Sequence, residues 1–274
     1  MNSEDIRKTV REGYGRIARE RSSCCSSSSL CCGKNETDTT SKGLGYRDEQ
    51  LTSVPQDADL GLGCGSPVNQ AELKRGEIVL DLGSGGGLDC FLAAREVGSE
   101  GRVIGVDMTP DMIDLARRNA ARGGYSNVEF RLGEIEHPPA ADASVNVILS
   151  NCVINLSPDK GTVYREMHRI LKSGGRFVVS DIVLTKPLPD FIRQSVAAYN
   201  GCISGAMLKD RYLELIQNAG FHDVMVLESK VFPVDYLIND PSVQNLIHEA
   251  GISADQVKDV MGTVESITVK GWKL

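Results

Sequence analysis

Eight cysteines stand among 274 residues, and they are the side chains that most need a chemical reason. They fall as Cys24-Cys25, Cys31-Cys32, Cys64, Cys90, Cys152 and Cys202. The chain opens Met1-Asn2-Ser3-Glu4-Asp5, with no basic stretch leading into an apolar one. No secretory leader is read, and the expected compartment is the cytoplasm. A disulfide framework is not the expected use of thiols there. Redox, metal or metalloid chemistry is, because soft thiolates select soft partners. Three cysteines occupy contexts that would present a side chain: Gly63-Cys64-Gly65-Ser66-Pro67, Ser150-Asn151-Cys152-Val153-Ile154-Asn155-Leu156 and Gly201-Cys202-Ile203-Ser204-Gly205-Ala206. Each of the three, taken alone, also reads as a small buried hydrophobe, and Cys90, in an apolar helical stretch, reads mainly so.

A second constellation is the run Val79-Leu80-Asp81-Leu82-Gly83-Ser84-Gly85-Gly86-Gly87, a strand, a glycine turn and a helix start. Glycines there let the backbone turn sharply and approach a ligand where no Cβ could fit. Twenty residues past Gly87, Asp107 ends the next apolar run, where a carboxylate can accept both hydroxyls of a ribose. Two details separate this pattern from a dinucleotide fingerprint. Leu88 stands where the last glycine of G-x-G-x-x-G would be, and Asp81 just before the turn suits an amino-acid terminus better than a pyrophosphate. The ligand that fits is a methionine-based adenosyl cofactor. Gly83, Ser84 and Gly85 would face its methionine end and Asp107 its ribose. Met108, Glu134 and Ile135 would flank its adenine, and Asn151 would lie at the end of the fourth strand.

The elements needed to position these residues are legible. Ile6, Val10, Tyr14 and Ile17 recur at helical spacing in the first 21 residues. The serine- and cysteine-rich stretch 22–33 reads as flexible, and the chain reads as loop to about Gly65. A short helix over 67–73 precedes strands at 78–82, 103–106, 128–132, 144–150 and 176–181, with helices from the glycine turn to about Val97, from Thr109-Pro110, and over 158–172. That last helix is expected to stop at Ser173-Gly174-Gly175. Helices near 189–200 and 208–219, a strand at 223–230, a helical excursion over 231–262 and an alternating edge strand at 264–270 follow. Strands alternating with helices imply a mostly parallel, doubly wound sheet. The expected divisions are 1–65, an N-terminal helix with the flexible segment; 66–187, the cofactor-binding domain; and 188–274, a segment that contributes to the substrate site and completes the sheet.

Asp81-Leu82-Gly83-Ser84-Gly85-Gly86-Gly87, Asp107-Met108 and Leu171-Lys172-x-Gly174-Gly175 resemble the signature of class I S-adenosylmethionine methyltransferases. The resemblance implies an α/β fold with a seven-stranded sheet whose last strand is antiparallel, an N-terminal extension and a small C-terminal α+β segment. The three cysteine contexts resemble those of arsenite methyltransferases. By that resemblance Cys64, Cys152 and Cys202 bind trivalent arsenic. Arsenite is thiophilic, and three thiolates would hold it in a pyramid with its lone pair free to accept a methyl group. The family also carries a cysteine before its G-C-G turn that forms a disulfide with a substrate cysteine between turnovers. Cys24, Cys25, Cys31 and Cys32 all qualify, with Cys32, followed by Gly33, preferred. The implied partners are arsenite or its thiol conjugates and a thioredoxin or small-thiol reductant. No metal cofactor is expected.

Two other functions compete: methylation of a quinone or other small carbon nucleophile on the same fold, and thiol-based arsenic or metal binding without turnover. Thirty basic against 37 acidic residues, a net charge of −7, leave no basic face for nucleic acid. The apolar run around Val145, Val147, Ile148 and Leu149 is strand-sized, far short of the roughly 20 residues of a membrane span. His137, His168, His222 and His248 are scattered and form no ligand spacing. An arsenic lone pair needs no general base to free it.

Overall fold

The computed structural model describes residues 3–23, 36–188, 203, 205–232 and 262–274. Cys24, Cys25, Cys31, Cys32, Cys202, the helix expected near 189–200 and most of the excursion over 231–262 lie outside the described residues. The alternation of short apolar runs and amphipathic segments becomes one open sheet. Its strands are β1 (Ile78–Leu82), β2 (Arg102–Asp107), β3 (Val128–Leu132), β4 (Val145–Asn151), β5 (Leu171–Leu184), β6 (Met207–Leu208), β7 (His222–Val231) and β8 (Val264–Trp272). They lie in the order β3-β2-β1-β4-β5-β8-β7, and β6 pairs beside β5. β1 to β5 pair in parallel and β8 runs antiparallel to both its neighbours. The expected seven strands are present in their expected sense, with the two-residue β6 added.

Both faces of the central strands are apolar because both are covered. On one face Val79, Val103, Val147 and Val178 pack with Phe91 of α5 (Leu88–Val97) and Ile113 of α6 (Pro110–Gly123). On the other, Leu80, Ile104, Ile148 and Phe177 meet Tyr164 of α7 (Lys160–Ile170) and Tyr212 of α8 (Lys209–Asn218). Helix starts follow local chemistry. Pro110 sits in the first turn of α6, where its missing N–H costs nothing. Asp159 caps α7 by accepting from the Thr162 amide at 2.9 Å. Among the described residues no helix is long and apolar enough to cross a membrane.

Three expectations change. The region read as loop contains the helices Glu36–Gly43 and Asp48–Thr52 and a 3-10 turn at Gln56–Ala58. These segments are too short to show a periodicity, and tertiary anchors such as Ser41 to Asp59 hold them. Ser173-Gly174-Gly175 does not separate a helix from a strand. It lies within β5, which begins at Leu171, and pairing shifts register between Val145 and Val147 to absorb it. Finally, Val264–Trp272 is not an edge strand. It is inserted between β5 and β7, and its alternating polar residues mislead because they are partnered: Thr268 with Ser180 at 2.9 Å and Lys270 with Glu72 at 2.9 Å.

The N-terminal helix α1 (Ser3–Ser23) lies against α6, with Arg19 paired to Asp111. Its Arg7, Val10 and Tyr14 face the cavity at the C-terminal ends of the parallel strands.

The interior position of β8 has a measurable consequence. Ile267 is fully buried in the main core, so Ile267→Ala should cost about 2–5 kcal/mol, read as a lowered urea midpoint. A loss below about 1 kcal/mol would return the strand to the edge.

Candidate active site

The cavity opens where β1, β2 and β4 end. Its floor is the glycine turn, folded by bonds from the Gly83 and Ser84 amides to the Val106 carbonyl at 2.8 and 3.0 Å. Gly83 is left-handed (φ +72°), and a Cβ there would meet Val153 at 2.5 Å. Gly85 is also left-handed (φ +49°) but has nothing within 4 Å of where its Cβ would be. The first glycine serves packing, and the second leaves space. Asp107 closes the turn, accepting from the Gly85 amide at 3.0 Å and the Thr109 amide at 2.8 Å. Desolvation raises its pKa against those bonds. Met108 and Ile135 line the same wall. Glu134, expected with them, pairs with Arg7 and Arg11 of α1 at 3.2 and 3.6 Å. Glu136, two residues on, faces the cavity and accepts from Ser157 at 2.7 Å.

Behind the turn lies a cluster of acids. Asp81 is buried, and desolvation first, then the negative charge of Asp89, push its pKa well up. The Cys90 thiol donates to Asp81 at 3.2 Å. Cys90 therefore packs as expected and also partners a buried carboxylate. Asp89 accepts from the Tyr46 hydroxyl at 2.8 Å and from the Asn151 amide at 3.2 Å. Burial lifts it to about 6 even so.

Asn151 links this cluster to the cysteines. Its side-chain nitrogen also donates to the Tyr46 oxygen at 2.9 Å and to the Gly65 carbonyl at 2.8 Å. Its side-chain oxygen accepts from the Cys64 amide at 3.1 Å. The approach is close enough that a Cβ at Gly63 would stand 2.9 Å from Asn151. Cys152, the next residue, is left-handed at φ +58°, and its amide donates to the Ser180 carbonyl at 2.8 Å. A β-carbon in that region is strained, and the bond to β5 helps hold it.

The consequence is a convergence of thiols. The sulfurs of Cys64 and Cys152 and a carboxylate oxygen of Asp181 all lie within 4.8 Å of one another, and all three residues are buried. Cys152 also lines the cavity. The apolar surroundings include Val10, Leu156, Ile182, Leu188 and Ile203. From the sequence Cys64 and Cys152 stand out and Glu136 lies beside Glu134 and Ile135 in the segment expected near the adenine, whereas Tyr46, Asp89 and Asp181 do not stand out. Asp181 alone had a usable signal, a carboxylate toward the C-terminal end of an apolar parallel strand, where ligands of such sheets bind.

A family model described as a methyltransferase domain matches residues 73–220. The arsenite methyltransferase of Halobacterium salinarum is 48% identical over 230 residues, covering 81% of this chain and 59% of that protein. The arsenite methyltransferase of Aquipseudomonas alcaligenes is 37% identical over 233 residues, covering 82% and 64%. The chain thus spans about three-fifths of the length of these curated relatives. Among solved structures, an arsenic(III) S-adenosylmethionine methyltransferase from Chlamydomonas reinhardtii superposes with a TM-score of 0.63 at 32% identity, over 86% of this chain and 73% of that one.

The acid cluster predicts a pH dependence. A carboxyl raised to about 6 in the folded protein keeps its proton longer than in the unfolded chain, near 4. Its contribution to stability is therefore present at low pH and falls as pH rises from about 4 to about 6. Asp89→Asn should remove that fall, gaining about 1–3 kcal/mol on the wild type across this window in urea titrations. A constant difference between the two proteins at every pH would contradict the assignment.

Proposed function

The chain belongs to the methyltransferase-domain family, and from that premise we propose that it transfers methyl groups from S-adenosylmethionine to trivalent arsenic held by cysteine thiolates. The observation that carries this reading is the pair of buried thiols, Cys64 and Cys152, within 4.8 Å of each other, the second of them in the wall of the cavity that holds the glycine turn. A methylation site for carbon has no need of such a pair, whereas arsenite requires thiols to displace its oxygens.

The cavity suits the donor. Open space stands at Gly85, and the Asp107 oxygens accept one backbone amide each and keep further lone pairs for ribose hydroxyls. Met108 and Ile135 would offer an apolar wall to an adenine, and Gly83, Ser84 and Asp81, which line the same cavity, would take the methionine end. S-adenosylmethionine, when bound, supplies an electrophilic sulfonium methyl. The chain's own residues do the rest. Cys64 and Cys152, with Cys202 as the proposed third ligand, each exchange a thiol proton for a bond to arsenic, and each departing oxygen leaves as water. The three thiolates then fix the arsenic lone pair toward the cavity. Proximity and alignment are the catalytic contribution, and such orientation alone is worth about 7–11 kcal/mol in favourable systems.

Donating its lone pair to carbon formally oxidises arsenic by two electrons. Return to the trivalent state is assigned to a cysteine pair, Cys32 with a substrate cysteine, which a thioredoxin or small thiol would reset. Glu134 keeps a supporting role, since its bonds to Arg7 and Arg11 hold α1 over the cavity.

The test is incubation of the protein with isotopically labelled S-adenosylmethionine, arsenite and a thiol, followed by separation of arsenic species. Labelled methylarsenic should form in the wild type. It should disappear in Cys152→Ser, because a hydroxyl does not replace a soft thiolate. Label transfer to arsenic at the wild-type rate in Cys152→Ser would overturn the assignment, and transfer to an added quinone instead of arsenic would favour the carbon-nucleophile alternative.

A further inference from the structure

The third member of the thiol convergence has no part in the chemistry above. Trivalent arsenic takes soft thiolates, yet a carboxylate oxygen of Asp181 also lies within 4.8 Å of both sulfurs. Two thiolates and a carboxylate suit a different ion. We propose that Cys64, Cys152 and Asp181 form a site for a thiophilic divalent cation of the zinc class, which shuts arsenite out while it is bound. The exclusion of arsenite rests on the function proposed above; the cation site itself does not.

The geometry is close to what such an ion needs. Zinc–sulfur bonds of about 2.3 Å and zinc–oxygen bonds of about 2.0–2.2 Å set tetrahedral ligand atoms about 3.5–3.8 Å apart, so closing the site takes movements on the order of 1 Å. Three protein ligands with one further position complete the shell. The three come from separate elements that meet at β5: the turn before the short helix at Pro67–Gln70, the end of β4, and β5 itself. The meeting is tight. A Cβ at Gly65 would stand 2.6 Å from the Ser180 hydroxyl, next to Asp181.

Asp181 is also held as a ligating carboxylate is held. One oxygen accepts from the Asn155 amide at 2.8 Å and from the Ile182 amide at 3.0 Å; the other accepts from the Tyr212 hydroxyl at 3.0 Å. The Asn155 backbone amide also supports this carboxylate, so a cation would take the place of one of these hydrogen bonds. Outer partners of this kind orient metal ligands and govern affinity. A divalent cation would also offset the charge of two thiolates and a carboxylate set among apolar neighbours.

The experiment uses the full chain with Cys24→Ser, Cys25→Ser, Cys31→Ser and Cys32→Ser, so that these thiols bind no metal. Zinc affinity is measured by competition with a chromophoric chelator, without arsenite or methyl donor. Cys64→Ser and Cys152→Ser should each abolish tight binding. Asp181→Asn should weaken it by roughly tenfold or more, while arsenite affinity stays within about twofold because arsenic does not use the carboxylate. Unchanged zinc affinity in Asp181→Asn overturns the site. Should that variant fail to fold, zinc-edge X-ray absorption on the unaltered site decides: two sulfurs with oxygen neighbours support it, and an all-sulfur or sulfur-free shell overturns it. Added zinc should inhibit the first turnover of arsenite methylation, which does not draw on Cys32, and an undiminished single-turnover rate at saturating zinc overturns the exclusion. Zinc binding as described with no methylation in the zinc-free wild-type chain would leave the cation site standing and remove the arsenic function.

Discussion

The side-chain amide of Asn151 joins the two halves of the site. It donates toward Tyr46, Asp89 and the Gly65 carbonyl, and it accepts from the Cys64 amide. An amide can do this because it presents two N–H donors and an acceptor from one rigid plane, with one hydrogen shared between two of the three acceptors. One end of the network reaches the acids behind the glycine turn, the other the turn that carries Cys64. The register of a donor cavity against a thiol pair thus depends on one residue at the end of β4. Asn151, expected among the cofactor contacts, lines the cavity and also bonds the turn that carries Cys64.

Around this join the structure accepts local costs. Asp81, Asp89, Asp107 and Asp181 are all raised by desolvation. Cys152 occupies a left-handed conformation that costs a non-glycine residue on the order of 1 kcal/mol or more. The surrounding packing is what sustains them: fully buried valines, leucines and isoleucines on both faces of β1, β4 and β5. Functional sites are where local rules are expected to fail while the rest of a fold remains consistent.

The parts of this molecule legible in the sequence are those fixed by neighbours in the chain. The strand, glycine turn and helix at 78–97 declare themselves through apolar periodicity and glycine spacing, and Asp107 through its place at the end of the next strand. Cys64 and Cys152 could be singled out because their flanking residues resemble a known pattern. What stayed hidden was set by distant contacts. The interior place of Val264–Trp272 depends on Ser180 and Glu72 partnering its polar face. Whether Glu134 or Glu136 faces the cavity depends on Arg7 and Arg11, more than 120 residues earlier. Asp181 reaches the thiols only because three separate elements converge on β5.

Arsenic-edge X-ray absorption on the protein loaded with one equivalent of arsenite shows whether arsenic sits on these thiols before it is methylated. A shell of sulfur neighbours with no oxygen is expected in the wild type, and loss of sulfur with return of oxygen when Cys64 and Cys152 are both changed to serine. An identical arsenic shell in the two proteins would contradict it.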